Sequence, residues 1–398
     1  MGEPSIPVAG HDGALAAAGP RAYHQPTMEQ APTVVMVDLP GRAYPIEIGA
    51  GLLSTLGRRI RALYPALKAT IVTDSNVAAR YLDRAAGSLA EAGFSPNAIT
   101  IPAGETSKSL DQLCRIYDRL AELRHGHDEP IIALGGGVVG DAAGLAAATW
   151  MRGVPFVQCP TTLGADIDAS VGGKVAVNHP AGKNLIGAFH QPVLVLIDVD
   201  CLSSLDPRDY TAALAESVKH ALIRDASFLK WHEDHVDPLR RRSQEIAVEL
   251  IVRNCRIKAE VVREDERETS DTGVGRAALN LGHTIGHALE IQSSYGLRHG
   301  EAVSLGMVAA LDLAVRCCNL ADADRRRIEE LLNALGLPIR TVEAIDADDL
   351  TARLGMDKKD RRGTLRFVVL QRIGEVVWLE NPPVDAVKRA ITRLMTPL

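Results

Sequence analysis

His283 and His287 stand four residues apart in the run Asn280-Leu281-Gly282-His283-Thr284-Ile285-Gly286-His287, with His299-Gly300-Glu301 close behind. On a helix that spacing puts both imidazoles on one face, a turn apart, where they can reach a common point in a cleft. Many metal sites begin this way, but two imidazoles do not hold a catalytic ion by themselves. The third ligand must arrive from elsewhere in the fold, and His299 and an acidic residue on another helix are the candidates. An isolated HxxxH pair is more often a hydrogen-bonded pair in a core. Here the glycines at 282, 286 and 300 argue for a site, because a residue without a Cβ permits close approach of backbone or substrate. The order is not H-E-x-x-H, which argues against a zinc protease.

A second chemistry is written in the first half of the chain. Pro130-Ile131-Ile132-Ala133-Leu134 enters Gly135-Gly136-Gly137-Val138-Val139-Gly140-Asp141, and a helix of small residues, Ala142 to Thr149, follows. In the order strand, glycine turn, helix, bare backbone N–H groups and a helix N-terminus can hold a pyrophosphate. The acidic residue that usually stands about twenty positions later to hold a ribose is missing. Asp74, in Asp74-Ser75-Asn76 at the carboxyl end of an earlier strand, could supply that hydrogen bond or could simply cap a helix.

Lys174 and Lys183 each follow a glycine, and each reads as an anion clamp, a point charge that glycine lets approach a phosphate. Glu216 and Lys219 are three apart and flanked by Leu214, Ala215 and Val218, so they read as a buried pair rather than a solvated one. Lys258 lies on the next helix, Arg276 stands four residues before Asn280, and Asp357-Lys358-Lys359 precedes the last strands. A metal, a nucleotide and many cations together suit a phosphorylated, hydroxylated small substrate. From the residues alone, the chain reads as a metal-dependent, NAD-linked alcohol dehydrogenase acting on a sugar phosphate.

The elements that must position these groups follow from periodicity. Thr33–Leu39 and Tyr44–Ile48 form a hairpin around Pro40-Gly41, and a helix carries Leu52, Leu53, Leu56, Ile60 and Leu63 on one face. Ala69–Thr73, Ala98–Pro102, Pro130–Leu134, Pro155–Cys159 and Val193–Asp198 are apolar strands, alternating with helical stretches. Helical periodicity then dominates: one helix begins near Leu214, another spans about 244 to 264, and helices run on to about 335. The strands Leu365–Leu370 and Glu375–Leu379 close the chain. The division this implies is a nucleotide-binding α/β half over 33–199 and a mainly helical metal- and substrate-binding half over 200–398, behind a Gly-, Ala- and Pro-rich tail, 1–32, read as disordered.

Composition excludes several classes. With 398 residues, 46% hydrophobic and 24% charged, the chain is an ordinary soluble globular protein, and a net charge of −6 offers nothing to nucleic acid. No apolar run suits a bilayer, and the N-terminus lacks the pattern of a secretory signal, so no membrane association is expected. Six cysteines without a CxxC spacing read as buried, reduced thiols of a cytoplasmic protein.

Gly135 through Asp141, Arg152-Gly153, Pro160-Thr161-Thr162-Leu163, Asp168 through Lys174, Ala176-Val177-Asn178-His179-Pro180, Gly182-Lys183-Asn184, Leu214-Ala215-Glu216, Asn280 through His287 and His299-Gly300-Glu301 together resemble the 3-dehydroquinate synthase family. The resemblance runs from about residue 34 to the C-terminus. It implies a Rossmann-like α/β N-terminal domain, an all-α C-terminal domain and an active site in the cleft between them. It also implies NAD and a divalent ion, zinc or cobalt, held by Glu216, His283 and His299, and it moves His287 from the metal to the substrate. Family members convert 3-deoxy-D-arabino-heptulosonate 7-phosphate to 3-dehydroquinate and phosphate. The route is transient oxidation by NAD, β-elimination of phosphate, re-reduction and intramolecular aldol closure.

The resemblance also distributes roles. Lys174, Asn184, Arg152 and His287 would surround the phosphate, and Asp168, Lys219, Lys258, Arg276, Asn280 and Lys358 or Lys359 would hold the ring hydroxyls and carboxylate. Asp74 and Asn76 would meet the adenosine end, Glu105 and Lys108 the ribose region, and Gly137, Val138, Val139, Gly140 and Asp141 the pyrophosphate. Thr161, Thr162, Lys174, Lys183, Cys201 and Ser204 would complete the cofactor's surroundings, and a homodimer is expected.

Two features depart from the family pattern: a longer loop between Lys258 and Arg276, and Asp166, an added negative charge near the nucleotide. Related sugar phosphate cyclases, such as aminodehydroquinate and 2-epi-5-epi-valiolone synthases, are the nearest alternatives. The intact Gly-Gly-Lys, Asn-His-Pro and Asn-x-Gly-His-Thr-x-Gly-His motifs, and an arginine kept for a substrate carboxylate, favour dehydroquinate synthase over the valiolone and inosose enzymes. A non-catalytic NAD-binding relative would be expected to lack one of the three metal ligands, and all three are present.

Overall fold

Parallel strands that are apolar on both faces need a layer on each side, and the chain supplies both. The computed structural model describes residues 31–270, 273–293, 296–341, 345–357 and 364–395. The expected tail and the Lys358-Lys359 pair lie outside these residues. The strands are β1 (Thr33–Val37), β2 (Tyr44–Gly49), β3 (Lys68–Asp74), β4 (Ser95–Ile101), β5 (Ile131–Gly135), β6 (Phe156–Pro160), β7 (Lys174–His179), β8 (Gly182–Phe189), β9 (Leu194–Asp198), β10 (Arg366–Arg372) and β11 (Glu375–Glu380). Seven of them form one sheet in the order β1-β2-β9-β6-β5-β3-β4. Every neighbouring pair is parallel except the β1–β2 hairpin at the edge.

β5, β6 and β9 are buried at every position. The helices Leu110–Glu122 and Gly137–Thr149 cover one face of the sheet's centre, and Leu56–Leu63 and Asp83–Glu91 cover the other. From β3 the chain passes outward to β4 and returns on β3's other side as β5. The carboxyl ends of β3 and β5 therefore flank a switch point, where sheets of this kind leave a crevice.

The second half is helical, as expected, but it does not form a separate core. Helix Gln244–Glu264 lies across β1 and β2, and Val35, Ile46 and Ile197 of the sheet belong to the same apolar cluster as Leu214, Val218 and Ile251. From Pro32 on, the chain is one compact unit, so the boundary expected at residue 199 marks a change of secondary structure and does not divide the packing.

One expectation needs correction. The helix expected from Leu214 begins earlier, at Pro207, with the Asp206 carboxylate accepting from Arg208 N. That is an acidic cap before a proline in the first turn, a start signal present in the sequence. The Gly-Lys segments, given no element from sequence, open β7 and β8, an antiparallel hairpin with partners from Lys174 and Phe189 inward. β8 keeps most of its side chains partly or fully exposed, so it shows no apolar alternation to read. A Cβ on Gly187 would collide with the Val175 carbonyl, so glycine there is what lets the two strands close.

Candidate functional site

Three helix segments meet at the site, and glycines bring them together. Glu216 lies in helix Pro207–Arg224, His283 opens helix His283–Gln292, and His299 opens helix His299–Cys317. A Cβ on Gly300 would overlap the carbonyl of Ala212, and one on Gly306 the carbonyl of Gly282. A Cβ on Gly286 would stand 2.9 Å from the Ala302 carbonyl. These glycines, read from sequence as room for a ligand, serve helix-to-helix contact instead. Gly282 caps its helix at φ +81°, a conformation that favours glycine.

The packing puts Glu216 Oε1 3.1 Å from His299 Nε2 and 3.5 Å from His283 Nε2. The other nitrogen of each ring is occupied: His283 Nδ1 lies 3.3 Å from the Leu281 carbonyl, and His299 Nδ1 3.2 Å from Glu290 Oε1. An Nδ1–H donated outward leaves an Nε2 lone pair facing inward, the tautomer a metal needs. The donor atoms of Glu216, His283 and His299 lie within 4.8 Å of one another. Two imidazoles and a carboxylate with an open side match the composition of catalytic zinc sites.

His287 is close by, its ring centre 5.2 Å from that of His283 and 5.9 Å from that of His299. It faces the cleft and, with Glu290 and His299, belongs to a second group whose donor atoms lie within 4.8 Å of one another.

The two imidazoles differ in their electrostatics. Burial holds His283 well below the usual imidazole range, so its lone pair is available. Burial also opposes charge on His299, but Glu216 and Glu290 outweigh it and push the ring up to about 10. Glu216 is almost fully buried; its second oxygen is paired with Lys219, and Lys219 and the two histidines hold its carboxyl well below the carboxylate range against the cost of burial. Asp168 behaves similarly: Lys258 Nζ donates to its Oδ1 at 2.6 Å, and burial is outweighed by Lys258 and Lys219. The pair read from sequence as buried, Glu216–Lys219, is buried.

Glu216, His287, Glu290 and His299 line one wall of a cleft of about 1870 Å³. A single small ligand usually occupies about 300–1,000 Å³, so the cleft has room for a dinucleotide and a second molecule. The opposite wall is the switch-point crevice: Asp74, Asn76, Glu105, Lys108, Gly137, Val138, Asp141, Thr161, Thr162 and Ser204 line it, and Asp168, Lys183 and Asn184 lie between the walls. The helix that starts at Gly137 points its N-terminus here, and a Cβ on Gly137 would already touch Ala169 at 3.5 Å. Thr161 Oγ1 is buried without a hydrogen-bond partner among the described residues, an orphan that a ligand can satisfy. Asp74 lines the cleft and also caps, accepting from Asn76 N and Val77 N, so the two readings of that residue coexist.

Other expected residues fall elsewhere. Val139 packs into the core behind the glycine turn, Gly140 closes on Gln158, and Cys201 is buried with its carbonyl accepting from Tyr81. Arg152 stands apart within its own chain: it is exposed beyond the far end of the 13-residue helix Gly137–Thr149, about 20 Å from the turn where that helix begins. Arg276 is buried, its guanidinium donating to the Gly172 carbonyl at 3.0 Å and to the Glu266 carbonyl. The longer loop before it is anchored by Asp265, whose carboxylate accepts from Thr269 N, Ser270 N and Arg276 N.

Asp166 is fully buried, and burial, with Asp198 adding, raises its carboxyl well above the ordinary range. That favours the neutral acid over the extra negative charge expected at this position. Among the thiols, Cys114 is exposed and Cys317 and Cys318 are half-buried, while the other three are buried.

Three contributors were missed from sequence. Glu268 pairs with Lys174 and accepts from Asn280 at 3.0 Å, joining two of the expected substrate residues. Glu290 holds His299, and Asn178 donates to Glu105 at 2.8 Å while accepting from Asn184 N. Glu290 was legible in principle, since it stands on the same helix face as His283 and His287, seven and three residues on. Glu268 and Asn178 had no local signal.

A carboxylate and two imidazoles on a helical wall, facing the switch point of a parallel sheet, place this molecule in the class of sugar phosphate cyclase folds. Two solved structures share it. One is 2-epi-5-epi-valiolone synthase from Streptomyces hygroscopicus subsp. jinggangensis with NAD+ and Zn2+ bound (TM-score 0.79, 29% identity, 88% of this chain and 96% of that one). The other is 2-deoxy-scyllo-inosose synthase complexed with carbaglucose-6-phosphate, NAD+ and Co2+ (TM-score 0.81, 26% identity, 91% and 100%). The chain belongs to the 3-dehydroquinate synthase family. Residues 98–212 match the model of that enzyme's N-terminal domain, and residues 213–360 match that of its C-terminal domain. The 3-dehydroquinate synthase of Methylococcus capsulatus is 47% identical over 340 residues, 85% of this chain and 93% of that protein.

Proposed function

We propose that this chain is a 3-dehydroquinate synthase, a phosphate-eliminating carbon–oxygen lyase that converts 3-deoxy-D-arabino-heptulosonate 7-phosphate to 3-dehydroquinate and phosphate. The observation that carries the proposal is the convergence of Glu216, His283 and His299 on a cleft whose other wall is a glycine-turn nucleotide crevice. Bound NAD+ would take and return a hydride, and a divalent ion on the three donors would orient vicinal hydroxyls and stabilise alkoxide charge.

The chain's own groups do the remaining work. The part up to Asp198 holds the nucleotide: Asp74 and Asn76 stand at its adenosine end, the Lys108–Asp141 pair beside the glycine turn, and Thr161, Thr162 and Lys183 nearer the helices. The part from residue 200 holds the ion and most of the substrate. Asp168, with Lys258 on it, offers a carboxylate to a ring hydroxyl, and Lys219 holds Glu216 in one orientation. His287 and Asn184 face the cleft where a phosphate would sit. In this structure Glu268 fills the space between Lys174 and Asn280, so an anionic substrate using those residues must displace its carboxylate. Arg152 could reach a phosphate only from a second copy, which accords with a homodimer.

The test is product identity. Purified protein with NAD+ and zinc should release inorganic phosphate from the heptulosonate phosphate and form 3-dehydroquinate, with much slower release from sedoheptulose 7-phosphate or the amino analogue. No release from the heptulosonate by folded, metal-loaded protein would end this assignment.

A further inference from the structure

Beneath the cleft, outside its lining, four polar side chains form a chain through the helical core. His232 Nδ1 lies 2.7 Å from the Phe228 carbonyl and its Nε2 2.8 Å from Ser217 Oγ. Asn254 Nδ2 donates to Ser217 Oγ and to the Leu250 carbonyl, both at 2.8 Å, and Asn254 Oδ1 lies 2.8 Å from His220 Nδ1. All four side chains are fully buried.

The chain has only one consistent direction. With both amide hydrogens of Asn254 spent on acceptors, its oxygen must face His220, so His220 Nδ1 carries the proton and donates. Burial holds His220 below the usual imidazole range, which favours the neutral ring and leaves its Nε2 as a lone pair. It is buried, has no partner among the described residues, and faces Asp168 Oδ1 at 3.6 Å.

A lone pair does not rest against a carboxylate without a hydrogen between them. The donors at hand are the ammonium groups of Lys258, on Asp168, and Lys219, on Glu216. A metal ion is the other conceivable occupant, since the donor atoms of Asp168, Glu216 and His220 lie within 4.8 Å of one another. Charge argues against it: the two carboxylates are already balanced by two buried ammonium groups, and a dication would face both.

We propose that His220 is a positioning residue of this site. Its Nε2 is an uncharged acceptor, fixed in tautomer by Asn254, that holds a hydrogen of the lysine pair or of one bridging water beside Asp168. Oδ1 of Asp168 is thereby kept inward, and Oδ2 is left for the cleft, to accept a substrate hydroxyl. This rests on the activity proposed above.

Two substitutions separate this role from a structural one. In His220→Asn the amide nitrogen takes the place of Nδ1, so the bond to Asn254 is kept and the Nε2 acceptor is deleted. In His220→Gln the amide oxygen takes the place of Nε2, and the bond to Asn254 is lost. H220N should lose about tenfold or more in kcat, with NAD+ and zinc affinities and melting temperature near wild type, while H220Q stays within about threefold. H220N within about twofold of wild type would overturn the proposal. So would H220Q losing about tenfold or more in kcat while melting like wild type, and that measurement carries the test if H220N does not fold. Failure of the activity itself is seen separately, in a wild type that releases no phosphate.

Discussion

Glu290 lies one bond beyond the proposed ion and still governs it. Its carboxylate takes the Nδ1 proton of His299 and so fixes which nitrogen faces Glu216. Removing such an outer partner typically costs about 10–100-fold in metal affinity. Glu290→Gln should therefore weaken zinc binding by about that factor in competition with a chelator; equal zinc affinity would show that the ring is oriented by packing alone. Asp166 gives a second residue-scale test, through pH. Its folded-state carboxyl is raised by burial and by Asp198, so the wild type loses stability as pH climbs above the unfolded value of about 3.9. Asp166→Asn removes that linkage. The melting temperature of the variant relative to wild type should rise between pH 4 and pH 8 and level off toward the acid end; a difference independent of pH would place the ionised carboxylate in the native state. The residue types at the site were legible from spacing, and Glu290 was within reach of the same reading, but Asp166 was not, because its burial is set by elements far away in the chain.

Among the elements, the helix pair His283–Gln292 and His299–Cys317 shows what the glycines do. Gly306 faces the Gly282 carbonyl with no space for a methyl group, whereas Gly87, in helix Asp83–Glu91, has nothing within 4 Å of where its Cβ would be. Gly306→Ala should destabilise by about 1–3 kcal/mol or more, as overpacking does, and should weaken zinc binding by moving His299 away from His283. Gly87→Ala should be neutral or stabilise by about 0.4–1 kcal/mol, since the methyl meets open space in a helix. Thermal melts of the two variants check both, and similar melting points would sink the packing account. Most of the large elements could be read from periodicity, including helix Gln244–Glu264 and the terminal hairpin of β10 and β11. The β7–β8 hairpin could not, since its outer strand is mostly solvated and its glycines look like loop residues.

At the scale of the whole molecule, sheet and helical half are joined by one apolar core and share one cleft, so ligands on either wall should stabilise the entire unit. NAD+ at about a hundred times its Kd should add about 2.7 kcal/mol, and stripping the metal with a chelator should lower the melting temperature until zinc is restored. A single cooperative transition that shifts with both ligands is expected. Two transitions, each answering to one ligand, would mean that the halves unfold separately.

The amino-acid sequence by itself determined the parallel sheet, the glycine turn at its crevice and the pair of histidines a helical turn apart, because each is a local pattern of period or spacing. It also carried enough ordered motifs to show the family resemblance. Only the tertiary structure decided that the donor atoms of Glu216, His283 and His299 come within reach of one another, that Arg152 stands away from its own cleft, and that burial raises the Asp166 carboxyl. Those outcomes depend on which side chains close packing brings together across more than sixty residues of chain, and local spacing does not encode that.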